Sequence, residues 1–315
     1  MNGFVLAVDG GGSKTIAILV DRKGQVTSMA NGGGINPLDQ VNWQAEACSV
    51  MDVISEPLDA VEFACFGAPG YGEITSVTAI QDEFFKNYFP GLAIVENDVR
   101  LAFDGAFLTD PGILLLVGTG SMAWASDGAR HERIGGWSEI YGDEGSGFWI
   151  GREALSIVTR HLDGRLEAPE LCAALLRKLS ICGARANQQL FDWAYNSAHR
   201  RSTIAGLAEL VSTQASAGDP VAQKLLDRAC DLQAEHIVAA RNLFGDEMPW
   251  AITGGVGKSL YVQHRLTKLI GTQSERHLPP VGGGAWRAAL AAGWAPDQSW
   301  IRQLRISLAE HGVHS

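Results

Sequence analysis

The chain has 315 residues, 46% of them apolar, with 35 Asp and Glu against 25 Lys and Arg and a formal net charge of −10. That length supports one large or two moderate domains with their own cores. The absence of any Lys/Arg run excludes a basic footprint for nucleic acid or an anionic membrane surface. The longest apolar runs, such as Ile113–Val117, are far too short to span a bilayer. The opening MNGFVLAVDG carries no basic region and no long apolar stretch, so a cytoplasmic protein is expected. Cys48, Cys65, Cys172, Cys182 and Cys230 are scattered, odd in number and never in a C-x-x-C. A disulfide framework and a zinc or iron–sulfur site with sequence-local ligands are therefore not expected.

The first element is an apolar strand ending in DGGGSKT, Asp9 to Thr15. It invites comparison with a phosphate-binding P-loop, G-x-x-x-x-G-K-[ST]. The pattern fails, because Ser13 and not Gly precedes Lys14. The residues after Lys14 are decisive: TIAILVD, RKGQ and VTSMA read as strand, turn and strand, so no helix N-terminus is available to hold the phosphate. A second near match, AITGGVGKS at 251–259, has Ile252 where the first glycine should stand. The stretch LLLVGTGSMAWASDG, 114–128, repeats the first pattern of strand, small-residue turn, strand and polar turn. Two such hairpins predict an internally duplicated α/β architecture. Each turn offers backbone N–H groups and hydroxyls, Ser13 and Thr15 in one and Thr119 and Ser121 in the other, to anionic oxygens.

Further along, NGGGINP (31–37) is a glycine-rich turn signal whose polar side chain before Pro37 is Asn36. VEFACFGAP (61–69) reads as a buried strand, and LAIVEND (92–98) as another that runs into the helical VRLAFDGAF. Asp98 thus falls at a strand end and a helix start, as either a helix N-cap or a ligand-facing carboxylate. GGWSEIYGDEGSGFWIG (135–151) sets Trp137, Tyr141, Asp143 and Glu144 among glycines just before a helix. Aromatics beside carboxylates in such a loop suit a sugar, and a structural turn is the other reading. Residues 151–245 read as mostly helical, with a long helix between Asp219-Pro220 and Gly245 whose apolar stripe leaves His236 packed rather than catalytic. WAITGGV (250–256) reads as strand into turn, SLYVQHRLTKLIG as helix, and PPVGGGAWRAALAAG (279–293) as a loop into a small-residue helix whose glycines suit close approach of a flat ring.

In order, the segments DGGGSKT, GGGIN, END, VGTGS, GGWSEIYGDEGSGFWIG, TGGVGKS and GGGAWRAALAAG resemble the N-acetylglucosamine kinases of the BadF/BadG-type ATPase family, within the superfamily of sugar kinases, actin and heat-shock chaperone ATPases. The resemblance covers about residues 4 to 293 and implies an α/β fold of two actin-like (ribonuclease H-like) domains with a nucleotide cleft between them. It implies an N-terminal domain of 1–116 with the C-terminal helix at about 298–315, and a second domain of 117–297 with a helical insertion. It also implies ATP and Mg²⁺, with Asp9 holding the metal through water, and Gly11, Gly12, Ser13, Thr15, Thr119 and Gly120 on the phosphates. Gly255 and Ser259 match the adenosine-side motif. Asn36, Asp98, Trp137 and Asp143 match sugar positions together with the backbone from Gly136 to Ile140, and Asp98 matches the general base. The expected reaction is phosphorylation of the 6-hydroxyl of N-acetylglucosamine by a homodimer without nucleic-acid or membrane partners. Pro37 and Leu38 replace a more polar, aromatic neighbourhood, which makes a glucosamine kinase the alternative. An ATPase that activates a radical dehydratase would need a cysteine pair at a subunit interface, and a sugar-responsive regulator would need a basic helix-turn-helix before Phe4; neither signature is visible.

Overall fold

The computed structural model describes residues 3–52, 54, 60–89, 91–183, 185–196 and 200–314. In chain order the elements begin β1 (Phe4–Gly10), β2 (Lys14–Asp21), β3 (Val26–Gly33), α1 (Trp43–Met51), β4 (Val61–Ala68), α2 (Thr75–Tyr88), β5 (Ala93–Asn97) and α3 (Asp98–Phe107). They continue with β6 (Gly112–Val117), β7 (Ser121–Ser126), β8 (His131–Gly135), α4 (Ser138–Tyr141), α5 (Gly147–Leu162), α6 (Pro169–Lys178), α7 (Ala186–Asn196), α8 (Arg200–Ala205), α9 (Ala208–Ser216) and α10 (Pro220–Phe244). The chain closes with β9 (Trp250–Thr253), α11 (Leu260–Ile270), α12 (Pro280–Ala291) and α13 (Gln298–Glu310). These divide into two compact units, one running to Asp110 and resuming at Glu275, the other spanning Pro111–Ser274.

In the first unit the sheet order is β3-β2-β1-β4-β5. The β1–β2 and β2–β3 pairs are antiparallel, whereas β4 and β5 add in parallel. Leu6 and Val8 of β1 join one apolar cluster, and Val5 and Ala7 join the other. The strand is buried on both faces, which is why it reads as an unbroken apolar run. One face is covered by Trp43 of α1 and Phe85 of α2, the latter stacked on Phe66 with ring centroids 4.5 Å apart. The other is covered by Leu101 of α3, Val281 of α12 and Trp300 of α13.

The second sheet has the order β8-β7-β6-β9, with antiparallel β6–β7 and β7–β8 pairs and a parallel β6–β9 pair. This is the pattern of β3-β2-β1-β4, so the duplication inferred from two glycine-rich hairpins is a duplication of topology. The core joins Leu115 of β6, Ile150 of α5, Ile237 of α10 and Trp250 of β9. Helix α10 starts where expected: the Asp219 carboxylate accepts the N–H groups of Val221 and Ala222 ahead of Pro220. His236 is buried there and donates from Nδ1 to the Leu232 carbonyl, 3.1 Å away. Among the described residues no helix is long and apolar enough to cross a membrane.

The expected boundaries at 116/117 and near 298 differ from this division: β6 lies wholly in the second unit, and α12 lies in the first. The reason is close packing. A Cβ on Gly283 would lie 2.2 Å from the Leu101 carbonyl oxygen, and one on Gly284 would lie 3.3 Å from the Ala7 methyl. Those glycines seat α12 against α3 and β1, and do not serve the flat-ring role read from the sequence. Two further readings shift slightly. Gly32 and Gly33 of NGGGINP still belong to β3, and the C-terminal helix ends at Glu310 rather than near Ser315, which lies outside the described residues.

Candidate active site

In the first unit the three parallel strands β1, β4 and β5 end level with one another. Asp9 pairs with Gly67, and Gly67 and Ala68 pair with Glu96 and Asn97. Ligands in α/β sheets bind at such carboxyl ends. Asp98 follows at once as the first residue of α3, and the N-cap role belongs to its neighbour: the Asn97 side chain accepts the Val99 N–H at 3.0 Å. Gly67 lets the start of α3 approach the sheet, because a Cβ there would lie 2.6 Å from Leu101 Cδ2 and 3.5 Å from the Asp98 Cα. Asp9 and Asp98 therefore feel each other's charge. Burial, then the Asp9 charge, pushes the Asp98 carboxyl up to about 7, with Glu73 adding to the effect and the Val99 N–H opposing it. Burial pushes Asp9 up to about 6, partly offset by the ammonium of Lys14.

The first turn, Gly11–Ser13, closes with the Gly11 N–H donating to the Lys14 carbonyl at 2.9 Å, and Gly12 and Ser13 are exposed. The segment after β3 packs on this turn. The Ile35 N–H donates to the Gly11 carbonyl at 3.0 Å, and a Cβ on Gly34 would lie 2.2 Å from the Gly12 carbonyl oxygen. Asn36 is thereby held beside the turn, its Oδ1 accepting the Leu38 N–H and its Nδ2 donating to Asp39 at 2.7 Å. Thr15 requires a correction. It is fully buried and its hydroxyl donates to the Gly33 carbonyl at 2.7 Å, so the side chain braces β2 against β3 and is not presented to a phosphate.

In the second unit the turn Gly118–Gly120 closes with the Gly118 N–H donating to the Gly120 carbonyl at 2.9 Å. Ser121 is the counterpart of Thr15: each is the residue of the second strand paired with the last residue of the first. Its hydroxyl too is committed, donating to the Glu144 carbonyl at 2.7 Å. Thr119 lies partly exposed in the turn itself. The parallel β6–β9 pairing brings the Gly254–Gly255 turn alongside. Gly254 has a φ of +96°, and a Cβ there would sit 2.4 Å from the Val117 carbonyl oxygen, closer than any side chain allows. Gly255 is exposed, and Ser259 caps α11 through the Val262 N–H while its hydroxyl lies 2.5 Å from that of Ser212. The Gly118–Gly120 and Gly254–Gly255 turns are thus neighbours.

The loop after β8 is bent sharply, with positive φ at Gly135, Gly136, Ser138, Asp143 and Gly145. Two of these are not glycine, and such strain concentrates where a backbone must be held for function. Trp137 is 59% exposed, with the Arg133 guanidinium 4.8 Å over its ring, and takes no part in the core. Asp143 is buried, and both its oxygens have protein partners: Oδ1 accepts the Ser121 N–H at 3.2 Å, and Oδ2 pairs with Arg201 at 2.5 Å. Arg201 and Glu73 are functional candidates that the sequence did not reveal. Arg201 stands 58 residues beyond Asp143 in an unremarkable helical stretch.

Two sheets of one strand order, each opened by a glycine-turn hairpin and one bearing carboxylates at its strand ends, define an actin-like (ribonuclease H-like) fold of the kind used by ATPases and sugar kinases. The profile of the BadF/BadG/BcrA/BcrD ATPase family matches residues 6–281, and the chain belongs to that family. It is 27% identical over 263 residues to an N-acetylmuramic acid/N-acetylglucosamine kinase of Clostridium acetobutylicum, covering 80% of this chain and 85% of that protein. It is 25% identical over 240 residues to the glucosamine kinase GspK of Vibrio cholerae, covering 74% and 79%. The crystal structure of a protein assigned as an N-acetylglucosamine kinase from Chromobacterium violaceum superposes with a TM-score of 0.75 at 26% identity, over 90% of this chain and 98% of that one.

Proposed function

We propose that the protein is an ATP-dependent hexosamine kinase that phosphorylates the 6-hydroxyl of N-acetylglucosamine. The observation that carries this reading is Asp98: a partly buried carboxylate at a strand end, with a pKa raised to about 7 and a second carboxylate beside it. A base of that pKa is mostly ionised just above neutrality yet basic enough to accept a proton as a bond forms. In the reaction the Asp98 carboxylate takes the proton of the sugar 6-hydroxyl while that hydroxyl oxygen bonds to the γ-phosphorus. The bond to the β,γ-bridging oxygen breaks and its electron pair leaves with ADP. The proton then passes from Asp98 to water.

The turns at Gly11–Ser13 and Thr119–Gly120 supply N–H groups and the Ser13 and Thr119 hydroxyls to phosphate oxygens. Gly255 and Ser259 serve the adenosine side. Asn36, Trp137 and the backbone from Gly136 to Ile140 serve the sugar, while Asp143 contributes through the pairs it makes within its own unit. Asp9 fits a divalent cation, because it is a hard oxygen donor beside a second carboxylate. Among the described residues no cluster of three or more His, Cys, Asp or Glu could hold a metal ion, so a cation at Asp9 would keep most of its ligands from water and phosphate, as magnesium does. When bound, Mg²⁺ neutralises charge on the transferred phosphoryl group.

Glucosamine is the second reading. Leu38, exposed beside Asn36, and the similarity to a glucosamine kinase favour it. A coupled ADP-release screen over N-acetylglucosamine, glucosamine, N-acetylmannosamine and glucose separates the two. Release that no sugar stimulates would sink the proposal. The homodimer belongs to the same proposal, and analytical ultracentrifugation tests it.

A further inference from the structure

We infer that Gln233 of α10 is a positioning residue for the sugar, acting through the backbone of the bent loop between β8 and α5. Gln233 is fully buried, and its Nε2 donates to the Gly145 carbonyl at 2.6 Å. Its Oε1 is buried with no hydrogen-bond partner among the described residues. A buried amide satisfied on one side only weakens a core relative to an apolar side chain of the same shape, so packing alone does not account for it. What the amide supplies is a fixed donor to one carbonyl of the loop.

The same helix seats both ends of the loop. Gly145 has a φ of +71°, and a Cβ there would lie 2.5 Å from the Ala229 carbonyl oxygen and 2.9 Å from Gln233 Cγ. Gly135, at the other end, has a φ of +75°, and a Cβ there would lie 2.3 Å from His236 Nε2. Ala229, Gln233 and His236 recur at i, i+4 and i+7, so they share one face of α10. The His236 ring does not swing aside freely, because it is buried and tied through Nδ1 to the Leu232 carbonyl. Ala229 and Ile237 lie in the core of the second unit, so the helix itself does not yield. Between its ends the loop is braced on itself: the Gly142 N–H donates to the Ser138 carbonyl at 2.8 Å, and the Ser146 N–H to the Asp143 carbonyl at 3.1 Å. A loop braced in this way moves as one piece. Seating its ends on α10 therefore fixes the backbone from Gly136 to Ile140 and the Trp137 ring together. This role rests on the sugar reading of the loop, with Gln233 acting through Gly145 rather than on the sugar.

Calorimetric titration of the full chain with N-acetylglucosamine, with glucosamine and, separately, with ADP tests this. Gln233→Met keeps the length of the side chain and removes the donor. It is expected to raise the Kd of the amino sugar that the wild type binds about ten- to a hundredfold, the scale on which a displacement of up to about an ångström is felt. The ADP Kd is expected to stay within about threefold. Gly135→Ala replaces Gln233→Met if that variant does not fold. It forces a methyl against His236 and should show the same split. Adding His236→Ala gives that methyl room, and should recover at least about threefold of the lost sugar affinity, a coupling that a general loss of stability would not produce. Unchanged sugar affinity in a folded variant overturns the role, as does an equal loss of sugar and ADP affinity. A wild-type chain that binds ADP but neither amino sugar would overturn the sugar reading of the loop, and the role of Gln233 falls with it.

Discussion

Replacing Asp98 by Asn is expected to abolish phosphoryl transfer and at the same time make the protein more stable at neutral pH. The carboxyl is raised from 3.8 to about 7 by burial and by the Asp9 charge, so the folded chain holds this proton more tightly than the unfolded chain does. The sign follows: wild-type stability from this group is full below about pH 4 and is lost as pH rises toward 7. A shift of about three units sets a ceiling of about 4 kcal/mol at about 1.4 kcal/mol per unit. Part of that is repulsion shared with Asp9, so about 1–2 kcal/mol is expected from the substitution, at about 2–4 °C of Tm per kcal/mol. Asn keeps an oxygen for the Val99 N–H, so the helix start is preserved. The assay is thermal unfolding of both proteins at pH 5 and pH 8 without nucleotide or metal, where the difference in Tm should be several degrees larger at pH 8. Turnover of the wild type should rise with pH through about 7, and that of Asp98→Asn should fall by orders of magnitude. An equal Tm difference at both pH values, or near-wild-type turnover by the variant, would refute the reasoning.

Two other substitutions separate bracing residues from binding ones. Thr15→Val removes the hydroxyl that donates to Gly33, and should lower stability by about 1 kcal/mol while leaving the KM for ATP unchanged. A raised KM for ATP in that variant would return Thr15 to the phosphate. Gly34→Ala puts a methyl 2.2 Å from the Gly12 carbonyl oxygen, a backbone atom that cannot rotate away. The first turn must shift, and ADP affinity measured by calorimetry should fall by at least about tenfold. Wild-type affinity would show that this turn does not contact nucleotide.

The amino-acid sequence by itself determined the hairpins. Ser13 in place of a P-loop glycine, and a β-branched strand after Thr15 where a helix would have to start, are local facts that exclude a P-loop without any tertiary information. The repeat of that pattern at VGTGS likewise announced the duplication that the two sheets share. Helix α10 was legible from its Asp-Pro start, apolar period and Gly245 stop because such signals act over single turns. Only the tertiary structure decided which of those residues meet. Asp9 and Asp98 become neighbours because β1, β4 and β5 run parallel in one register, and crossover connections of that kind carry no periodic signal. The hydroxyls of Thr15 and Ser121 looked like phosphate ligands by composition, but the strand pairing turns them inward onto carbonyls. Arg201 is invisible beside Asp143 in the sequence because the ion pair joins separate elements. The pull of a buried charge on its partner depends on distance in space, which residue spacing along the chain does not encode.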